Sequence, residues 1–164
     1  MLDLTLVQLR RAYDAALEQM ASEASLTIGI LPGQFIEKLQ AGNNLNANPV
    51  DDDLPGKLRM TLEQAQTFQR RYQIIDAYQN DATGFSAVAL RDRATPNRVV
   101  IAVRSTELIN DRSRDLGADL QIFTSGFAFD QILSAEDFLE HIRPQLQPGE
   151  KIDLVGYSLS GNIV

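Results

Sequence analysis

One serine in this sequence has neighbours that suit nucleophilic chemistry. In "KIDLVGYSLSGNIV", Ser158 follows an apolar run and lies two residues after Gly156 and two before Ser160, with Gly161 next. A serine presented for attack sits on a sharp strand-to-helix turn, where strand and helix pass so closely that the positions flanking it at a distance of two must be small. Gly156, Ser160 and Gly161 meet that demand. Such a turn also aims the backbone N–H of Leu159, at the start of the following helix, at the place where a tetrahedral oxyanion would form. The spacing alone is a weak signal, since the relaxed pattern arises by chance in roughly one or two of ten chains this long. A glycine turn followed by a helix-capping serine is the plain alternative. The apolar strand before the motif and the apolar helix start "GNIV" after it favour the chemical reading.

A serine hydroxyl is a poor nucleophile near neutral pH until a base, ordinarily histidine, takes its proton and an acid orients that base. Six residues follow Ser158 and none of them ionises. His141 is the sole imidazole and lies upstream on the helix before the strand, so it reads as a surface or helix-end histidine and not as the base. The absence of cysteine excludes disulfides, thiolate catalysis and cysteine-based zinc sites, and a single histidine excludes a multi-histidine metal centre. Asp51, Asp52 and Asp53 lack the alternate spacing of a calcium loop and read as a solvated acidic turn. No metal site and no cofactor are expected.

The elements that must position the serine are legible from periodicity. Leu2, Leu6, Leu9, Tyr13, Ala16, Leu17 and Met20 recur at helical spacing and predict an amphipathic helix seeking a partner surface. A short helix is expected between Gln34 and Gln40, ended by Gly42, and "NNLNANPVDDDLPGK" has the composition of a surface linker. Thr61 with Gln64 three residues on fits a capping box that opens a helix to about Arg71. "YQIIDAY", "FSAVALR" and "RVVIAV" then predict three strands separated by turn-forming "QNDATG" and "DRATPN", the first pair as a hairpin. "STELINDRSRDLGADLQIFTSG" has no clean period and reads as a loop plus a short helix. Helical spacing returns between Phe129 and Leu146, with Ser134 and Asp137 as candidate caps, Pro144 ending or kinking the helix, and "KIDLV" as a strand bounded by Gly156. The rhythm predicts a mainly parallel sheet flanked by helices.

A chain of 164 residues with 44% hydrophobic and 23% charged residues suits a globular domain with its own core. A net charge of -7 and scattered basic residues argue against a nucleic-acid partner. No run approaches the roughly 18 apolar residues of a spanning helix. The N-terminus lacks the basic leader and cleavage site of a signal peptide, so cytoplasmic location and leaderless secretion both fit.

Taken together, "TGFSAVALRD", "VVIAVRSTE", "RDLGADLQIF" and "IDLVGYSLSGN" resemble, in order, the conserved blocks of the class 3 lipase family of α/β-hydrolases, particularly its bacterial members. The resemblance covers about Tyr72 to Val164, and four ordered blocks are more specific than one. It implies an α/β-hydrolase-like fold, incomplete here, and lipase, phospholipase or carboxylesterase activity on a lipid or acyl-ester substrate, with transient contact at a lipid interface. It also implies that Ser158 is the nucleophile and that Thr106, third residue of "RST", contributes to the oxyanion hole beside Leu159 N–H. The segment after Thr106 would correspond to the family's lid. The chain departs from the family phrases "FRGT" and "GHSLGG" at Ser105, Tyr157 and Ser160, where side chains crowd positions usually held by glycine or histidine.

In the hydrolase order an acid and a histidine follow the serine. Their absence here leads to the expectation that these residues are the first part of a longer polypeptide, or are completed by a second chain. On that reading residues 1–57 form a helical segment and polar linker, residues 58–164 begin the hydrolase domain, and the isolated chain is inactive. The alternative is a hydrolase-like module that binds an acyl ligand or a protein without catalysis, or an inactive truncated fragment.

Overall fold

The computed structural model describes residues 5–42, 59–79, 81, 84–104 and 128–156. Helix α1, Leu6–Ser22, opens with a capping box in which Gln8 N–H donates to Thr5 Oγ1 at 3.3 Å and Thr5 N–H donates to Gln8 Oε1 at 2.9 Å. Helix α2, Pro32–Ala41, begins two residues earlier than expected because Pro32 suits the first helical position, and ends at Gly42 with φ of 59°. Helix α3, Leu62–Arg71, has the expected box, with Gln64 N–H donating to Thr61 Oγ1 and Thr61 N–H to Gln64 Oε1.

The chain turns straight from α3 into strand β1, Tyr72–Tyr78, followed by β2, Ala87–Asp92, and β3, Arg98–Val103. Helix α4, Ala128–Ile142, a 3₁₀ turn at Arg143–Gln145 holding Pro144, and strand β4, Lys151–Gly156, complete the described residues. Ser134 and Asp137 are not caps: α4 starts at Ala128, and Ser134 lies within it, its hydroxyl donating to Asp81 Oδ2 at 2.9 Å.

The sheet has four strands in sequence order. It is α/β in class, but it is mixed and mostly antiparallel, which corrects the expectation of a mainly parallel sheet. β1 pairs antiparallel with β2 and β2 antiparallel with β3, while β3 and β4 alone run parallel. The connections decide this. Residues 79–86 and 93–97 are too short to carry a crossover, which takes a dozen residues or more, whereas residues 104–150 are long enough and include a helix.

Strand alternation divides the core between the two faces. Val88, Leu90, Val100 and Ala102 pack under α1, α2 and α3 with Leu17, Ala21, Phe35, Leu39, Ala65 and Phe68. Ala87, Ala89, Ile101 and Val103 pack under α4 with Phe85, Ala135, Phe138 and Ile142. The 57/58 boundary falls outside the described residues, and α1 and α2, which precede it, share one apolar core with α3 and the sheet.

Two findings differ from the periodicity. The face that α1 buries includes Leu17, Glu18, Ala21 and Ser22, while Leu6, Leu9 and Tyr13 of the predicted stripe are exposed at 85%, 48% and 50%. Residues 5–13 are exposed on every face, and in the buried second half Leu17 of the stripe lies beside Glu18, which meets cationic and phenolic partners on the sheet. β4 lies at the end of the sheet, and Leu154 on it is 41% exposed.

Candidate active site at the carboxyl ends of β3 and β4

In open α/β sheets ligands bind outside the carboxyl ends of parallel strands. Here that place is defined by β3 and β4, which run parallel with Val103 opposite Gly156, so the chain leaves two neighbouring strands side by side. Gly156 is the last residue of β4. Ser158, Leu159, Ser160, Gly161 and Thr106, together with Ser105 and Tyr157, lie outside the described residues, as do Asp51, Asp52, Asp53 and the loop after Thr106. In sequence Ser158 is two residues beyond Gly156 and Thr106 three beyond Val103. Both are thus tethered to adjacent strand ends by at most about 11 Å of chain.

The other end of each neighbouring element is held by charge. Glu18, fully buried on α1, accepts from Arg98 Nη1 at 2.6 Å, Arg98 Nη2 at 3.1 Å and the Tyr72 hydroxyl at 2.6 Å. Arg98 also reaches Asp153 on β4 at 2.7 Å and Asp92 at 3.3 Å. Arg71 forks onto Asp92 at 2.9 and 2.7 Å and meets Asp14 at 2.8 Å. One network therefore ties α1, α3 and all four strands together at the amino end of the parallel pair. Burial alone would lower the pKa of the Arg98 guanidinium, but the hydrogen bonds it donates to Glu18 and Asp153 outweigh that and raise it. Burial and the Glu18 carboxylate push the Tyr72 hydroxyl far up.

For Asp92, burial alone would raise the pKa, but the Arg71 hydrogen bonds and the N–H groups of Ala94 and Thr95 outweigh it and hold the carboxyl at about 2, against an ordinary 3.8. Arg91 holds Glu150 below the usual range as well. A carboxyl whose folded pKa lies below its unfolded value stabilises the fold above the unfolded pKa, and that contribution is lost as pH falls through the folded one. Stability is therefore expected to fall between about pH 4 and pH 2, with Asp92 responsible for about 2 kcal/mol. Urea unfolding across that range should show the drop, and Asp92→Asn should flatten it while lowering stability at neutral pH. An unchanged acid limb in the variant would refute the assignment.

At the carboxyl end of the sheet two polar groups flank the strand exits. On the α1 face, Gln19 Nε2 donates to the Val103 carbonyl at 3.3 Å and Glu23 Oε2 accepts from Arg104 Nε at 3.2 Å. On the α4 face, Asp81 accepts from Ser134, from the Tyr78 hydroxyl at 3.2 Å and from Phe85 N–H at 3.2 Å. Burial, then the bond to Asp81, raises the Tyr78 pKa. Of these residues the sequence reading singled out only Ser134, as a helix cap, and the pair Glu23 and Arg104 escaped it because they are 81 positions apart.

His141 is exposed near the carboxyl end of α4, with Nε2 3.0 Å from Asp76 Oδ2. Asp76 belongs to β1, three strand spacings or about 14 Å from β4, so His141 sits across the sheet from the strand that leads to Ser158. Among the described residues no group of three or more histidine, aspartate or glutamate side chains is placed to hold a metal ion. Among them, too, no helix is long and apolar enough to cross a membrane.

The described residues define an α/β protein with a mixed four-stranded sheet covered by helices on both faces. No family model matches the chain, and no curated protein or solved structure matches it.

Proposed function

We propose that this chain carries the nucleophile and oxyanion half of a serine ester hydrolase of the class 3 lipase type, acting on acyl esters of lipids. The observation that carries the proposal is the parallel pairing of β3 with β4, Val103 opposite Gly156. The two sequence motifs, "RST" and "GYSLSG", follow those two strand ends. A nucleophile and an oxyanion donor need this arrangement, since they must meet the same carbonyl group from two directions.

In this reading the Ser158 oxygen attacks the ester carbonyl and its proton passes to a histidine base. The charge on the carbonyl oxygen is met by the N–H of Leu159 and by the N–H and hydroxyl of Thr106, and the alcohol leaves with a proton returned by the base. The acyl-enzyme is then hydrolysed by water. His141, paired with Asp76 on β1, is not that base, so the reading requires a histidine other than His141. Gly156, Ser160 and Gly161 support the turn that carries Ser158. In this reading Ser105 stands beside Thr106 where the family phrase has glycine.

A fluorophosphonate probe applied to the complete polypeptide is expected to label Ser158, found by mass on the peptide that contains "GYSLSG". Label on another residue, or none in a folded protein, would refute the proposal.

A further inference from the structure

The first turns of α1 stand clear of the body. Residues 5–13 are exposed on every face, and Leu6, Val7, Leu9 and Tyr13 among them are large apolar side chains with about half or more of their surface in water. Tyr13 marks the joint with α3, where its hydroxyl accepts from Gln64 Nε2 at 3.3 Å. A single exposed leucine is ordinary, but four such side chains within the opening turns of one helix make a patch. At about 3.6 residues per turn Leu6, Leu9 and Tyr13 share one face, Arg10 borders it, and Val7 and Arg11 come next round the helix. Thr5 and Gln8 occupy the remaining side, where they bond to each other in the capping box. No acidic residue stands between Thr5 and Tyr13. Arg10 meets Asp14 at 3.8 Å with its side chain 76% exposed, a surface pair that holds it weakly.

Charge decides what such a face can meet. Helix α4 also exposes two apolar side chains, Ile132 and Leu133, yet Glu136 and Glu140 stand between them one and two turns on. In a chain of net charge -7, the start of α1 instead joins its exposed apolar side chains to two adjacent cations. A second copy of the chain fits it poorly, since two such helices laid side by side about a two-fold axis bring Arg10 and Arg11 of one near those of the other. An anionic lipid surface fits it well: the leucines and the tyrosine enter between headgroups while the guanidinium groups meet phosphates. We propose that the first half of α1 is an interfacial anchor, which lays the face of Leu6, Leu9 and Tyr13, flanked by Arg10 and Arg11, on a membrane of anionic phospholipid. Asp14, the next residue, meets Arg71 at the amino end of the parallel strands. The anchor therefore lies away from the strand ends that lead to Ser158, and it does not depend on the hydrolase reading.

Flotation of the full chain with phosphatidylcholine vesicles, with and without phosphatidylglycerol, tests this. Binding is expected on the anionic vesicles alone, and it should weaken as added salt shortens the Debye length from its physiological value of about 8 Å. Each arginine near such a surface contributes about fivefold in affinity, so Arg10→Gln with Arg11→Gln should weaken binding by about 25-fold. Leu6→Gln with Leu9→Gln should weaken it by about tenfold or more, through the apolar area left in water. Glutamine is a good helix former and these four side chains lie outside the core, so both double variants should keep the thermal midpoint of the unaltered protein. Leu133→Gln on α4 should leave binding unchanged. The proposal is overturned if the unaltered protein does not bind, if it binds phosphatidylcholine alone equally well, if either pair of α1 substitutions leaves binding intact, or if the midpoint falls with them. A dimer formed without lipid and dissolved by Leu6→Gln with Leu9→Gln would likewise overturn it and give the face to a second copy.

Discussion

Removing residues 1–57 is expected to leave a chain that does not fold. The sequence pattern reads that stretch as a helical segment and polar linker ahead of a domain that starts at residue 58. The packing runs the other way. Leu17, Ala21, Leu26, Phe35 and Leu39 sit in the same apolar cluster as Phe68, Tyr72, Val88, Leu90, Val100 and Ala102, so their removal strips two of the three helices from one face of the sheet. The four large side chains among them stabilise by about 2 kcal/mol each, and a domain of this size holds only about 5–15 kcal/mol in all. Deletion also strips the carboxylates of Glu18 from Arg98 and Tyr72, and of Glu23 from Arg104. Truncating one partner of a buried pair costs about 3–5 kcal/mol. The losses exceed the stability available. Circular dichroism and size exclusion on residues 58–164 would decide: a monomer with a cooperative melt would show that the helices before the linker are dispensable.

Ser158→Ala in the complete polypeptide is expected to abolish fluorophosphonate labelling and to lower ester hydrolysis by roughly 10⁴-fold or more, since a nucleophile in a serine hydrolase has no substitute among its neighbours. The fold should not notice. Ser158 lies two residues beyond β4, and among the described residues β4 is held by its parallel pairing with β3, by the packing of Ile152 and Val155 and by the Arg98 bond to Asp153. The two consequences separate chemistry from structure: activity lost with an unchanged thermal midpoint supports the nucleophile, and activity retained excludes it. A Ser160→Gly variant provides a companion measurement, because restoring the smaller residue relieves crowding at the turn. Its rate is expected to equal or exceed that of the unaltered protein.

Much of the local structure was legible in the sequence because its causes are local. The capping boxes at Thr61 and Thr5 act over three residues, the glycine at position 42 ends a helix by its own φ, and β-branched runs between turn residues form strands wherever a hairpin can close. The hairpin of β1 and β2 followed from those signals, with Tyr78 opposite Ala87 beside the turn, whereas an irregularity between Ile74 and Asp76 shifts the register by one and brings Tyr72 opposite Asp92. Strand direction in the rest of the sheet was misread, since an alternation of strands and helices suggests crossovers, while the length of each connection is what permits one.

The candidate site shows the same division. The sequence by itself determined that Ser158 follows an apolar strand between small residues, that no cysteine and only one histidine exist to serve it, and that three further strand segments and the helices among them precede it in order. Only the tertiary structure decided that β3 and β4 run parallel side by side, that α1 belongs to the core of the sheet, and that Glu18 and Glu23 on that helix clamp Arg98 and Arg104 at the two ends of β3. Periodicity marks which residues repel water, and it marked Leu6, Leu9 and Tyr13 as the inner face of α1. The first half of the helix is exposed on every face instead, and its second half buries Glu18 and Glu23 beside Leu17 and Ala21; a charge taken out of water must be met by another charge, and those partners lie 80 and 81 residues away, where no local pattern points to them.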